Sequence, residues 1–236
     1  LFEDMVAYQE EVRDPTRMAE VLTRVIAQAK RLSAPAQINV PRDFWTQVHD
    51  FTIPDPIEFE ASPGGENSIQ AAADLLSSAK NPVILNGAGV VLAGGIDASR
   101  VLAERLSAPV CVGYQHNDAF PGNHPLFAGA LGYNGSKAGM ELIKTADVVL
   151  CLGTRLNPFS TLPGYGMEYW PTDAKIIQVD INPDRIGLTK KVTVGIVGDA
   201  KKVAEGILER LSDSAGDAGR QERKDRIAQT KSAWAQ

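Results

Sequence analysis

The chain has 236 residues, room for one large domain or for one domain with parts of others. Hydrophobic residues make up 44% and charged residues 22%, enough to bury a core. The net charge of −5 offers no basic footprint for nucleic acid or an anionic membrane, and no apolar run approaches the ~18–20 residues of a membrane-spanning helix.

Leu1 is not a methionine, and Glu3-Asp4 place charge where a secretory leader would be apolar. The expectation is a cytoplasmic piece of a larger protein. Asp14 reads as an N-cap with Pro15 at the first helical position, followed by apolar residues at Met18, Val21, Leu22, Val25, Ile26 and Ala29. This predicts a helix over residues 15–30, then a strand over 36–40 closed by Pro41. A helix followed closely by a strand is half of a βαβ unit whose first strand is expected to be missing. Residues 51–65, with Pro54, Pro56, Pro63, Gly64 and Gly65, read as a linker.

From residue 66 the pattern becomes regular. Helices are predicted over 68–79, 96–106, 136–145 and 200–211, and strands over 82–85, 109–112, 148–152, 175–181 and 193–197, with a long loop between 112 and 136. Unbroken apolar strands separated by amphipathic helices indicate an α/β fold with a doubly wound parallel sheet, covered on both faces. Residues 212–236 are small, polar and charged; they could hold a solvent-facing helix, but as a domain terminus they read as a linker. Cys111 and Cys151 lie far apart in apolar runs and read as buried thiols rather than a disulfide or zinc site.

In such a sheet ligands bind beyond the carboxyl ends of the strands. Gly87-Ala88-Gly89 follows a strand as a diphosphate-binding loop does, but Leu92 stands where a third glycine belongs, so a tight strand exit is the competing reading. Asn134-Gly135-Ser136 opens a helix, which fits either phosphate binding or ordinary capping. Arg155 follows the most apolar strand and is either an anion fork or half of an ion pair. Asp180 ends a strand where a ribose hydroxyl pair is commonly held, or it caps the Asn182-Pro183-Asp184 turn. His49, His116 and His124 have no metal-ligand spacing, and no nucleophile elbow or P-loop is present.

Four segments carry a resemblance: Ala36 to Asp43 (AQINVPRD), Asn81 to Gly89 (NPVILNGAG), Val148 to Asn157, and Lys175 to Ile181. They resemble the acetohydroxyacid-synthase-like thiamine-diphosphate enzymes, in the order found at the end of the pyrimidine-binding domain and through the central domain. Asn157 to Lys190 is similar to the sulfoacetaldehyde acetyltransferase family within that group. The resemblance implies residues 1–50 as the end of the pyrimidine-binding domain, 51–65 as a linker, 66–211 as the central domain, and 212–236 as a linker toward a missing diphosphate-binding domain.

It also implies conversion of sulfoacetaldehyde and phosphate to acetyl phosphate and sulfite. Thiamine diphosphate and Mg2+ would be held by residues outside this chain, in a homodimer or homotetramer, with no catalytic residue or metal ligand in the chain itself. Related central domains bind FAD or ADP at positions corresponding to Gly87, Ala88, Gly89, Asn134, Gly135, Ser136, Arg155 and Asp180. Arg155, Asn157 and Ser160 are the residues expected to face substrate. Two alternatives stay open: the nucleotide-binding central domain of an acetolactate-synthase-like enzyme, and a scaffold and subunit-interface domain without ligand.

Overall fold

Tyr8, Gln9, Glu10 and Glu11 form a strand that their composition does not announce. The computed structural model describes residues 2–234, which divide into two units, Leu1–Glu60 and Ala61–Gln236. In the first unit β1 (Tyr8–Glu11) runs parallel to β2 (Ala36–Asn39), from Tyr8 opposite Ala36 to Glu11 opposite Asn39. The crossover is α1 (Met18–Leu32). The βαβ unit therefore has its first strand, contrary to the sequence expectation. β1 is mostly polar because its side chains alternate between half-buried and exposed. Val12, Val21 and Val25 form the small core against which Tyr8, Met18 and Phe44 pack.

The Asp14 carboxylate accepts from the Thr16 amide (3.0 Å). It thereby caps a 3-10 turn, Pro15–Arg17, and α1 proper begins only at Met18. The Arg24 guanidinium on α1 grips Glu10 on β1 with both ends, at 2.6 and 2.9 Å, and the Tyr8 hydroxyl donates to the same carboxylate at 2.7 Å. These hydrogen bonds, the arginine's first, hold Glu10 at about 2, below its ordinary 4.5. A depressed carboxylate stabilises the fold above its unfolded value, and that contribution disappears as pH falls through the folded one. The first unit is thus expected to lose stability between about pH 4.5 and about pH 2. Acid titration followed by circular dichroism checks this, and Glu10→Gln should flatten the loss in that window.

In the second unit β3 (Pro82–Asn86) and β6 (Val148–Leu152) are wholly buried, and β7 (Lys175–Asp180) is buried beyond its first residue. Burying each Val, Ile or Leu stabilises by about 1.5–3 kcal/mol, which is why these runs sit mid-sheet. β4 (Val110–Gly113), β5 (Phe127–Leu131) and β8 (Val194–Val197) complete six parallel strands in the order β5-β4-β3-β6-β7-β8. The first strand of the sheet is therefore central, and the order reverses between β3 and β6. This is the doubly wound arrangement expected, with β5 an addition inside the segment read as loop.

Helices α2 (Glu66–Ser78) and α4 (Ile96–Leu106) both pack on α6 (Ala200–Arg210), and α5 (Lys137–Lys144) packs with α7 (Arg220–Trp234). A short α3 (Ala88–Leu92) occupies the glycine loop after β3. Cys111 and Cys151 are buried free thiols, and burial pushes Cys111 up to about 12.

The 212–236 segment differs from the linker expected. Over residues 220–234 it is the helix α7, with Ile227 and Arg223 buried. The charge run conceals this because the buried face is narrow and one of its two buried residues is an arginine.

Candidate functional site

The strand order reverses between β3 and β6, so a ligand crevice is expected beyond their carboxyl ends. That place is filled by backbone. The Gly87 amide donates to the Leu152 carbonyl and the Gly89 amide to the Gly153 carbonyl, each at 2.9 Å. A Cβ on Gly87 would lie 2.6 Å from Gly153 O, and one on Gly89 would lie 2.6 Å from Gly153 Cα. Gly153 itself has φ +57°, in the left-handed region. The glycines are there so that two strand exits can touch. Buried Asn86 anchors the same edge, donating to Ser99 Oγ (2.8 Å) and to Ala119 O (3.0 Å).

The segment after β6 lies across the exits of β4 and β5. Asn157 accepts from the Ser160 amide (2.9 Å) and so caps the turn Pro158–Thr161. Phe159 O accepts from the Tyr133 amide at 2.9 Å. Farther on, the Tyr165 hydroxyl donates to Gly135 O (2.9 Å), and the buried Tyr169 oxygen accepts from the Gly132 amide (3.2 Å). Burial pushes Tyr169 up to about 12. Ser136 is an ordinary N-cap: its hydroxyl accepts from the Gly139 amide at 3.2 Å and donates to Ala128 O at 3.0 Å. Asn134, at φ +52°, and Gly135 form the turn into that cap.

Asp180 is buried and accepts from the Asn182 amide at 2.9 Å, the turn-capping reading. Gln178 was not singled out from the sequence. Its side chain donates to Thr154 O (3.2 Å) and Arg185 O (3.1 Å) and accepts from the Gly187 amide (2.9 Å), tying the exits of β6 and β7 together. The signal for it was a lone amide inside the apolar run Ile176-Ile177-Gln178-Val179.

Arg155 is the exception in this packed edge. It is exposed, and among the described residues its guanidinium has no hydrogen-bond or ion-pair partner. Its neighbours are fixed: Leu156 N is held by Thr154 Oγ1 (3.2 Å), and Leu156 O accepts from Thr189 Oγ1 (2.7 Å). A free cation on an anchored backbone suits recognition of an oxyanion.

The residues present do not fit an FAD or ADP diphosphate. The amides of Gly87 and Gly89 are bonded to carbonyls, as is that of Ser136, which donates to Ala130 O at 2.6 Å. Among the described residues, the glycine amides at this edge, those of Gly87, Gly89 and Gly153, are all engaged by carbonyls and none is left to cradle a phosphate there. The residues present do not fit magnesium either: among the described residues no group of three or more His, Cys, Asp or Glu could hold a metal ion. His124 Nε2 lies 3.2 Å from Glu104 Oε1, and His116 Nδ1 lies 4.0 Å from Asp118.

Against known proteins, the chain is 75% identical over 235 residues to a sulfoacetaldehyde acetyltransferase of Roseovarius nubinhibens, covering 100% of this chain and 39% of that protein. It is 69% identical over 236 residues to a probable sulfoacetaldehyde acetyltransferase of Rhizobium meliloti, covering 100% and 40%. The chain thus spans about two fifths of the length of these curated relatives. Among solved structures, a benzoylformate decarboxylase from Polynucleobacter necessarius aligns with a TM-score of 0.73 at 21% identity, over 89% of this chain and 39% of that one, a likeness of fold. Residues 69–207, more than half of the chain, match the family described as the thiamine pyrophosphate enzyme central domain, and with the doubly wound sheet on the same residues the chain belongs to that family.

Proposed function

We propose that this chain is the middle of an acyltransferase subunit that uses thiamine diphosphate and Mg2+ to convert sulfoacetaldehyde and phosphate to acetyl phosphate and sulfite. The observation carrying this reading is the 75% identity over 235 residues, spanning both units, to a sulfoacetaldehyde acetyltransferase. Residues 1–50 are the end of a pyrimidine-binding domain, 51–65 a connection, and 66–211 the central domain; the diphosphate-binding domain follows 212–236. The complete subunit is a cytoplasmic homodimer or homotetramer, and this chain alone does not turn over.

Thiamine diphosphate, when bound by the other domains, supplies the carbon nucleophile that attacks the aldehyde. The contribution of this chain is the carboxyl edge of its sheet. Arg155 offers a planar fork to the sulfonate or the phosphate, Asn157 holds the turn beyond it, and the Ser160 hydroxyl stands beside the exit of β4, 3.6 Å from where a Cβ on Gly113 would be. The reading is tested by phosphate-dependent sulfite release from the complete subunit supplied with thiamine diphosphate and Mg2+. In that assay Arg155→Ala is expected to lower kcat/KM by about tenfold or more for one of the two anions, with partial recovery in Arg155→Lys. No sulfite from the complete subunit would overturn the reaction, whereas sulfite release with an unaltered Arg155→Ala variant would overturn only the role of Arg155.

A further inference from the structure

The two peptide planes that flank Arg155 are both pinned. Thr154 O accepts from the buried Gln178 side chain (3.2 Å), which fixes the plane before Arg155. Leu156 N donates to Thr154 Oγ1 (3.2 Å), which fixes the plane after it. Leu156 itself is wholly buried and has φ +53°, in the left-handed region. Ser33 and Ser107 adopt that conformation where they close helices, and Asn134 does so in a turn. A bulky aliphatic residue seldom takes it.

Backbone in so sparse a region persists only where its surroundings over-determine it. A third tie does so here: Thr189 Oγ1, from the loop between β7 and β8, donates to Leu156 O at 2.7 Å. That loop is anchored on both sides of Thr189. Gly187 N donates to Gln178 Oε1 (2.9 Å), and the Lys190 ammonium sits 5.0 Å over the Trp170 ring.

We propose that Thr189 is a positioning residue for oxyanion binding. By holding the Leu156 carbonyl it keeps Leu156 left-handed, and so sets the direction in which the Arg155 side chain leaves the backbone. Without the hydroxyl, Leu156 relaxes toward an ordinary conformation and turns the peptide between it and Arg155. A planar fork must align two donors with two oxygens, so a change of direction weakens its grip. Thr189 is exposed, and water takes over the Leu156 carbonyl when the hydroxyl is lost, so stability changes little. The bond serves aim more than folding. This rests on the reading of Arg155 as the group that meets the sulfonate or the phosphate.

The test uses the complete subunit with thiamine diphosphate and Mg2+, following sulfite release while sulfoacetaldehyde and phosphate are varied in turn. Thr189→Val keeps the shape and removes the donor, whereas Thr189→Ser keeps the donor. Thr189→Val is expected to raise KM about three- to tenfold for the anion that Arg155→Ala affects, with kcat and the other KM held within about twofold. Thr189→Ser should stay within about twofold of the parent on every constant. Combined with Arg155→Ala, Thr189→Val should add nothing, because the side chain it aims is gone. A purely structural role would instead lower the thermal midpoint and kcat together, and its effect would multiply with that of Arg155→Ala. A serine variant as impaired as the valine one, or independent multiplication of the two losses, overturns the positioning role. If Arg155→Ala is unaltered, the reading of Arg155 falls and this proposal with it; if only Thr189→Val is unaltered, the proposal falls alone.

Discussion

Gly132→Ala is expected to destabilise the second unit by about 2–5 kcal/mol, among the largest effects of any single methyl group in this chain. Two costs add. Gly132 has φ +81°, a conformation that costs a residue with a Cβ about 1–2 kcal/mol. The added carbon would also lie 2.1 Å from Phe159 O and 2.7 Å from the Ser160 backbone, so the whole turn after β6 has to retreat. Retreat strains the Tyr133-to-Phe159 bond and the Gly132-to-Tyr169 bond that hold this turn. Gly94→Ala separates the two costs, because Gly94 has φ +61° but nothing within 4 Å of its added carbon. Urea denaturation of both variants decides. If Gly132→Ala costs no more than Gly94→Ala, the close approach of the two loops is not what the glycine serves.

Arg223→Met should cost about 3 kcal/mol or more, although methionine fills much of the same space. Arginine is buried here as a multiple donor, and the substitution leaves the carbonyls of Lys80, Leu106, Gly216 and Ala218 without the partner that gathers them. Those carbonyls come from the turn before β3, the end of α4 and the turn leading into α7. The loss is therefore expected as detachment of a segment: amides over 220–234 should exchange first, before those of β3 and β6. Arg223→Lys, with three donors in a compact head, should recover part of the loss. Uniform exchange across the second unit would mean that α7 is held by Ile227 and its neighbours instead.

What the sequence made legible follows from burial. β3, β6 and β7 are apolar runs because both faces of a central parallel strand are covered, and that pattern is hard to mistake. β5, Phe-Ala-Gly-Ala-Leu, is an edge strand of small residues only partly buried, so it resembled the loop around it. β1 is short, polar and half exposed, and α7 turns one buried guanidinium inward while the rest of it reads as a solvated charge run. For the site the limit is of another kind. A glycine after a strand reports that something comes close to the backbone, and at Gly87 and Gly89 that neighbour is another stretch of the same chain. Composition does not distinguish a diphosphate from a peptide in that role. Asp180 and Ser136 were ambiguous for the same reason, since the oxygen that would hold a ligand can equally cap a turn.

The pairing of β3 with β6 also sets a schedule for synthesis. Pro82 pairs with Val148, so this flank of β3 waits for a partner that leaves the ribosome 66 residues later. At translation rates of roughly 5–20 residues per second the delay is about 3–13 s. Meanwhile β4 covers the other flank, and Val83-Ile84-Leu85 presents an open apolar edge with its hydrogen bonds unspent. A strand that ends wholly buried mid-sheet is, for those seconds, an adhesive surface. Slowing elongation between residues 86 and 148 should therefore raise the fraction of nascent chains that aggregate or recruit a chaperone.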